Sequence, residues 1–208
     1  MRKQVLAAVL LMASLPVLAG PMEDQLLAIQ HTWAHDQYEL EGEAREKAFE
    51  ELSKTAEQFV AQYPGRAEPL IWQGIVLSTY AGAKGGLGAL SLVKDARRAF
   101  EAALAIDETA LDGSAHTSLG SLYYQVPGWP IGFGNDDEAR HHLLRALTIA
   151  PLSIDANYFY ADFLRDQGEP ERAKVYFERA LKAAPRPDRP LADIGRHRDI
   201  EKQLQAIN

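Results

Sequence analysis

A small residue, a bulky one and a second small one recur at fixed intervals along this chain. That spacing limits what the chain can fold into. In "GEPERAKVYFERALKAAP", residues 168–185, Ala173, Phe177, Ala180 and Pro185 stand at offsets 0, +4, +7 and +12. Ala139, Leu143, Ala146 and Pro151 repeat the pattern, as do Ala96, Phe100, Ala103 and Glu108, with a weaker copy at Leu52, Ala56, Phe59 and Pro64. Two antiparallel helices approach closely only where one presents Ala or Gly and a bulky neighbour fills the groove beside it. A partner helix should therefore carry its own small residue at a constant distance upstream. From Ala161 to Ala173 that distance is 12 residues, and the step to the next hairpin is 22 for Leu52 to Gly74, Ala139 to Ala161 and Ala173 to Gly195. Together they give a period of about 34, the length of one helical-hairpin repeat. One junction departs, because Ala96 to Gly120 is 24 residues. No convincing alternating strand run interrupts the helical pattern.

Over roughly residues 43 to 206 the chain resembles the tetratricopeptide (TPR) family. "SLGSLYY" supplies Leu119, Gly120 and Tyr123, and "ALTIAP" and "ALKAAP" are typical helix ends, although Asn157 stands where that family prefers Trp. The resemblance implies an all-α fold: a TPR-like helical-hairpin solenoid with two inserted A–B loops and a C-terminal capping helix. Repeats are expected at roughly 23–64, 67–108, 113–151 and 154–185 within a single domain, 20–208, of about nine helices. Local chemistry agrees with these limits. Asn135 can cap a helix with Glu138 reaching back as a capping box would, and Pro170 sits near a helix start. The last segment, 190–206, begins a further hairpin with Leu191, Ile194 and Gly195, but no second helix follows. With Arg196, Arg198, Asp199, Glu201 and Lys202 around it, a single helix there is expected to close the open end of the stack.

The first nineteen residues read differently. Arg2 and Lys3 precede an apolar run from Val5 to Ala19 that ends in small residues. This is the pattern of a cleavable signal peptide, residues 1–19, cut after Ala19, and it predicts a periplasmic protein with no membrane anchor in the mature chain. Fifteen apolar residues interrupted by Pro16 are too few to span a bilayer comfortably. The sequence contains no cysteine, which excludes a cysteine-linked lipid, disulfides, thiolate metal ligands and a cysteine nucleophile. A net charge of −7 without any basic run argues against nucleic acid or anionic lipid as partners.

Two hairpins are longer than the rule allows. Gly120 to Ala139 is 19 residues and Gly74 to Ala96 is 22, against 12 in the regular unit. "TYAGAKGGLGALS" (79–91) and "VPGWPIGFGN" (126–135) therefore occupy equivalent turns of adjacent repeats, which a solenoid places side by side on one edge. Lys84 and Leu87 are expected near Trp129, Ile131 and Phe133. Two readings stay open: the aromatic residues wall a pocket or partner surface, or they fold back as a compact plug. "GAKGGLG" is no phosphate loop, since Lys84 is followed by glycines and no strand precedes it. Gly82, Gly85, Gly86 and Gly88 instead permit tight turns.

The remaining candidates carry little chemistry. His31 and His35 lie four apart on a helix but lack a third ligand, so no metal site is expected. His141 and His142 point in different directions. No G-x-S-x-G occurs, and Ser114 beside His116 lacks the strand–turn–helix setting of a hydrolase nucleophile. Asp136, Asp137 and Asp166 read as solvated or capping groups. Neither a cofactor nor an enzymatic activity is expected. The inner groove should be lined by Ile71, Ile75 and Ser78, then Thr117, Ser121 and Tyr124, then Tyr158, Asp162 and Arg165. Tyr158 and Asp162 stand where chaperone-binding TPR proteins carry a basic clamp for a peptide carboxylate, so that ligand does not fit.

A narrower resemblance rests on "LIWQGIVLSTYAGAKGGLGALSLVKDARRAFEAAL", "DGSAHTSLGSLYYQVPGWPIGFGNDDEA" and "IDANYFYADFL". Across most of residues 60 to 200 the chain looks like the T-component family of tripartite ATP-independent periplasmic (TRAP) transporters. That resemblance implies a TPR scaffold that forms homo-oligomers, contacts a periplasmic solute-binding protein, and holds a small hydrophobic ligand in a channel. The alternative is a general periplasmic protein–protein scaffold with no small-molecule ligand.

Overall fold

The computed structural model describes residues 20–86 and 88–207. The expected signal peptide, its cleavage after Ala19, and Leu87 lie outside the described residues. Among those described, nine helices follow in order: α1 (Pro21–Tyr38), α2 (Gly42–Gln62), α3 (Ala67–Lys84), α4 (Ala89–Ile106), α5 (Ala110–Gln125), α6 (Asp136–Ile149), α7 (Ile154–Asp166), α8 (Pro170–Leu181) and α9 (Pro190–Ile207). Successive helices pack as hairpins, and each hairpin packs on the next.

The recurring residues are the hairpin seams. Ala96, Phe100, Ala103, Ala139, Leu143, Ala146, Ala173, Phe177 and Ala180 are fully buried, and Leu52, Ala56 and Phe59 are buried in α2. The facing glycines show why side chains were removed. A Cβ on Gly74 would stand 2.5 Å from the Phe100 ring, and one on Gly120 would stand 2.7 Å from Leu143 Cγ. Asn157, at the position where Trp is preferred, is buried and donates from Nδ2 to the Pro151 and Ser153 carbonyls at 2.9 and 2.8 Å. It ties down the preceding turn instead of filling a groove.

Three local expectations need correction. Among the described residues of the first insertion only Gly85, Gly86 and Gly88 lie outside a helix; the others lengthen α3 and α4 to 18 residues each, against 13 and 12 in α7 and α8. Asn135 does cap α6, accepting from the Asp137 and Glu138 amides at 3.0 and 3.1 Å. Its own N–H, however, donates to the Tyr123 carbonyl at 2.8 Å, so the reciprocal half of the capping box is not made.

The third correction concerns α9. It does not lie free on the end of the stack but also meets α1. A Cβ on Gly195 would stand 2.3 Å from the Tyr38 ring. The seam position that receives Phe100 in α3 and Leu143 in α5 thus receives, in α9, a side chain of the first helix. Tyr38 OH donates to Asp199 at 3.2 Å, and His31 Nε2 donates to the Asp188 carbonyl at 2.6 Å. Helix α9 therefore packs on α1 as well as on α8, with His31 beside Asp188 and Tyr38 beside Gly195, so the last described helix meets the first and the solenoid closes on itself.

Candidate functional site

Closure makes a chamber. A cavity of about 1440 Å³ runs between α1, α3, α5 and the 179–196 segment. On α3 it follows Trp72, Ile75, Ser78, Thr79 and Gly82, and on α5 it follows Ser114, Thr117, Ser118, Ser121 and Gln125. At 1.5 Å per residue, Trp72 to Gly82 spans about 15 Å. Several hydroxyls on this wall are spent on their own helices: Ser78 on the Gly74 carbonyl, Thr79 on Ile75, Ser114 on Leu111 and Thr117 on Gly113. Thr79 also accepts from Trp33 Nε1 at 2.9 Å. What faces the cavity is consequently small and only weakly polar.

The two ends differ. At the turn end, Gly86, Ala89, Leu90 and Val93 of the first insertion meet Val126, Pro127 and Ile131 of the second, so both insertions border one chamber. The opposite end is bordered by Leu111 and Asp112, by residues 149–155, and by Arg179, Lys182 and Arg186. Leu111, Asp112 and Gly113 form a left-handed turn at φ 48°, 57° and 70°. The two non-glycine residues each hold a conformation costing about 1–2 kcal/mol.

The second insertion divides its hydrophobic residues among three jobs. Phe133 folds back, edge-on to Tyr123 at 5.7 Å, with the Arg97 guanidinium of α4 5.0 Å from its ring centre. Ile131 is 62% exposed and stands at the chamber mouth. Trp129 is 90% exposed and points away from the core, as does Leu152, 83% exposed, at the other mouth. The loop closes tightly: Gly134 donates to the Pro127 carbonyl at 3.0 Å, and a Cβ on Gly132 would lie 2.4 Å from that same oxygen. Lys84, expected beside these aromatics, turns to Tyr80 and to Glu46 of α2 at 3.1 and 3.5 Å.

Tyr124, Tyr158, Asp162 and Arg165 do come together, though not along an open groove. Tyr124 OH donates to Asp162 at 2.8 Å, and Arg165 lies 2.9 Å from the same carboxylate. Burial and the adjacent carboxylate push the Tyr124 hydroxyl well above its ordinary value. Arg165 also bonds Gln203 of α9, and Arg196 of α9 stacks on the Tyr158 ring at 4.2 Å. Helix α9 occupies the face on which these four residues were expected to be open. Ile71 is fully buried, while Ile75, Ser78, Thr117 and Ser121 do line the cavity.

Two clusters were not anticipated from sequence. Arg186 and Arg196 grip Asp155 from both sides at 2.7 and 2.9 Å, Arg186 also takes Asp193, and Arg196 also takes Asp199. Burial alone would raise the Asp155 pKa, but Arg196, Arg186 and Arg189 reverse that and hold the carboxyl well below the usual range. Arg196, expected among the solvated charges of a capping helix, is only 9% exposed. The second cluster joins His116 Nδ1 to His142 Nδ1 at 2.8 Å, with Glu108 3.3 Å from His116 Nε2. Burial pushes both imidazoles down, His142 to about 4. His35 pairs with neighbouring Asp36 at 3.1 Å. Among the described residues no three His, Asp or Glu side chains converge on a metal position, and no helix is long and apolar enough to cross a membrane.

Comparison with known proteins agrees with this geometry where it speaks. No curated protein matches the chain. A solved chain titled "Crystal structure of MamA" is similar at a TM-score of 0.46 and 18% identity, over 77% of this chain and 87% of that one. A family model, the tetratricopeptide repeat, matches residues 154–187, which hold the α7–α8 hairpin. The fold is an all-α, tetratricopeptide-like helical solenoid, and its most regular unit is a tetratricopeptide repeat.

Proposed function

We propose that this protein is a non-enzymatic periplasmic scaffold that holds a small apolar molecule in its closed chamber and binds a protein partner at the rim. Its place would be that of an accessory to TRAP-type transport, with a periplasmic solute-binding protein as partner and homo-oligomers as the working form. The observation that carries the reading is the chamber itself, about 1440 Å³ and bordered by both lengthened hairpins. Small-molecule sites are concave, mostly apolar and furnished with few polar groups. A regular 34-residue repeat needs neither the longer α3 and α4 nor the longer 126–135 turn, and both border the chamber.

The exposed Trp129 and Leu152 favour a second reading, a protein-binding scaffold without any small molecule. Large aromatic side chains contribute much contact area at protein interfaces. One experiment separates the two. Protein exported to the periplasm is purified gently and examined by native mass spectrometry, and its uptake of the neutral fluorophore N-phenyl-1-naphthylamine is titrated. Ser118→Phe, which places a ring inside the chamber, should weaken dye uptake, whereas Trp129→Ala should spare it and weaken capture of the solute-binding protein. A wild-type chain that neither carries an apolar passenger nor takes up the dye would overturn the ligand reading in favour of the second.

A further inference from the structure

At the cationic end of the chamber one guanidinium stands outside the ion-pair network of the described residues. Arg186 and Arg196 between them engage Asp155, Asp193 and Asp199. Arg189, on the same wall, makes no ion pair among the described residues. Its guanidinium lies 5.1 Å from the ring centre of Trp72, and its Nε is buried without a hydrogen-bond partner. An arginine keeps its charge in such a setting, and a desolvated, unpaired donor is costly to leave unmade. Trp72 and Arg189 both line the cavity, so a guanidinium with no carboxylate partner among the described residues borders its interior.

Charge is distributed along the chamber in one direction. Arg179, Lys182, Arg186, Arg189 and Arg196 border its far end. Asp112 and Asp155 stand there too, but Asp155 is already held by two arginines and Asp112 is exposed. From Trp72 the wall runs about 15 Å along α3 to the turn end, where Leu90, Val93, Val126 and Ile131 offer only hydrocarbon. A wholly apolar guest would satisfy the second end and leave the first unmatched. A hydrophilic anion would do the reverse.

Resting on the chamber reading above, we infer that the ligand is a single-headed anionic amphiphile, a long-chain carboxylate, with its head group on Arg189 over Trp72 and its tail toward Ile131. The planar guanidinium fork suits a carboxylate, and a head group there gives Arg189 the ion pair that no described residue supplies. No bond is made or broken.

The test compares three twelve-carbon probes of different head group, dodecanoate, dodecanol and dodecyltrimethylammonium, by displacement of N-phenyl-1-naphthylamine from the full mature chain. Wild-type protein should bind dodecanoate at least about tenfold more tightly than dodecanol, and the cationic probe most weakly. Arg189→Gln should bring dodecanoate and dodecanol within about twofold of each other. Arg189→Lys should keep most of the preference. If dye and dodecanol bind but dodecanoate gains nothing, the inference fails and the apolar chamber stands. If none of the probes nor the dye binds, both fail together. The wild-type comparison decides the matter even if Arg189→Gln does not fold.

Discussion

The same chemical change, glycine to alanine, should have opposite effects at two positions of α3. At Gly74 an added Cβ would lie 2.5, 2.7 and 2.8 Å from three atoms of the Phe100 ring. Carbon atoms rest at about 3.5–4.0 Å, so the ring must retreat by roughly 1 Å. Phe100 is fully buried in the α3–α4 seam and has nowhere to swing. Overpacking of this kind costs about 1–3 kcal/mol, against which alanine's better helix propensity returns about 0.8–1. The net loss should reach about 2 kcal/mol at most, or up to about 8 °C in melting temperature for a domain of this size. At Gly82 a Cβ meets nothing within 4 Å. There the propensity gain stands alone, about 0.5 kcal/mol so near the helix end. Denaturant midpoints followed by circular dichroism at 222 nm read both values. Phe100→Leu adds a control: it destabilises by itself, yet combined with Gly74→Ala the losses should fall short of additive by at least about 0.5 kcal/mol. Changes of equal sign at both glycines, or strict additivity with Phe100→Leu, would refute the seam assignment.

Acid should weaken the protein through its buried imidazoles. His142 and His116 have folded pKa values below the unfolded value of about 6.5, so their contribution is whole above that pH and declines as pH falls toward about 4. Allowing for His142's part exposure, the loss is about 1–3 kcal/mol, and His142→Phe should flatten this stretch of a stability–pH curve; an unchanged slope counts against the pair. Asp155→Asn should cost about 1–3 kcal/mol and expose the 182–190 segment to trypsin, because Arg186 and Arg196 lose their shared acceptor; undiminished protease resistance would contradict that. Phe133→Ala should destabilise by about 1–3 kcal/mol while Trp129→Ala stays within about 0.5, given their unequal exposure. Equal losses would mean both rings pack inward.

The seams were legible in sequence because helix contact demands small residues at helical spacing, and Ala96, Ala139 and Ala173 obey it without exception. The loop 126–135 was legible as an irregularity, but its division of labour was not, since Phe133 and Trp129 differ only in which way the backbone turns them. The groove residues Tyr124, Tyr158, Asp162 and Arg165 sit on the helix face that the spacing indicates. What the spacing could not show is that α9 covers that face. The position of α9 depends on Gly195 meeting a ring 157 positions earlier, at Tyr38, and no local pattern encodes so distant a contact. Arg196 read as a solvated charge for the same reason: Asp199 is its neighbour on α9, but Asp155, the acceptor it shares with Arg186, lies 41 positions earlier on α7.

A linear array of repeats has two ends, and each end is a place where neighbours are missing. Stability in such an array sums over nearest-neighbour interfaces, so unfolding can begin at a terminus and peel inward one hairpin at a time. Joining α1 to α9 removes both ends at once. Every hairpin then has a neighbour on each side, and opening any one junction strains the rest. The chain should therefore lose its structure in a single step and not repeat by repeat.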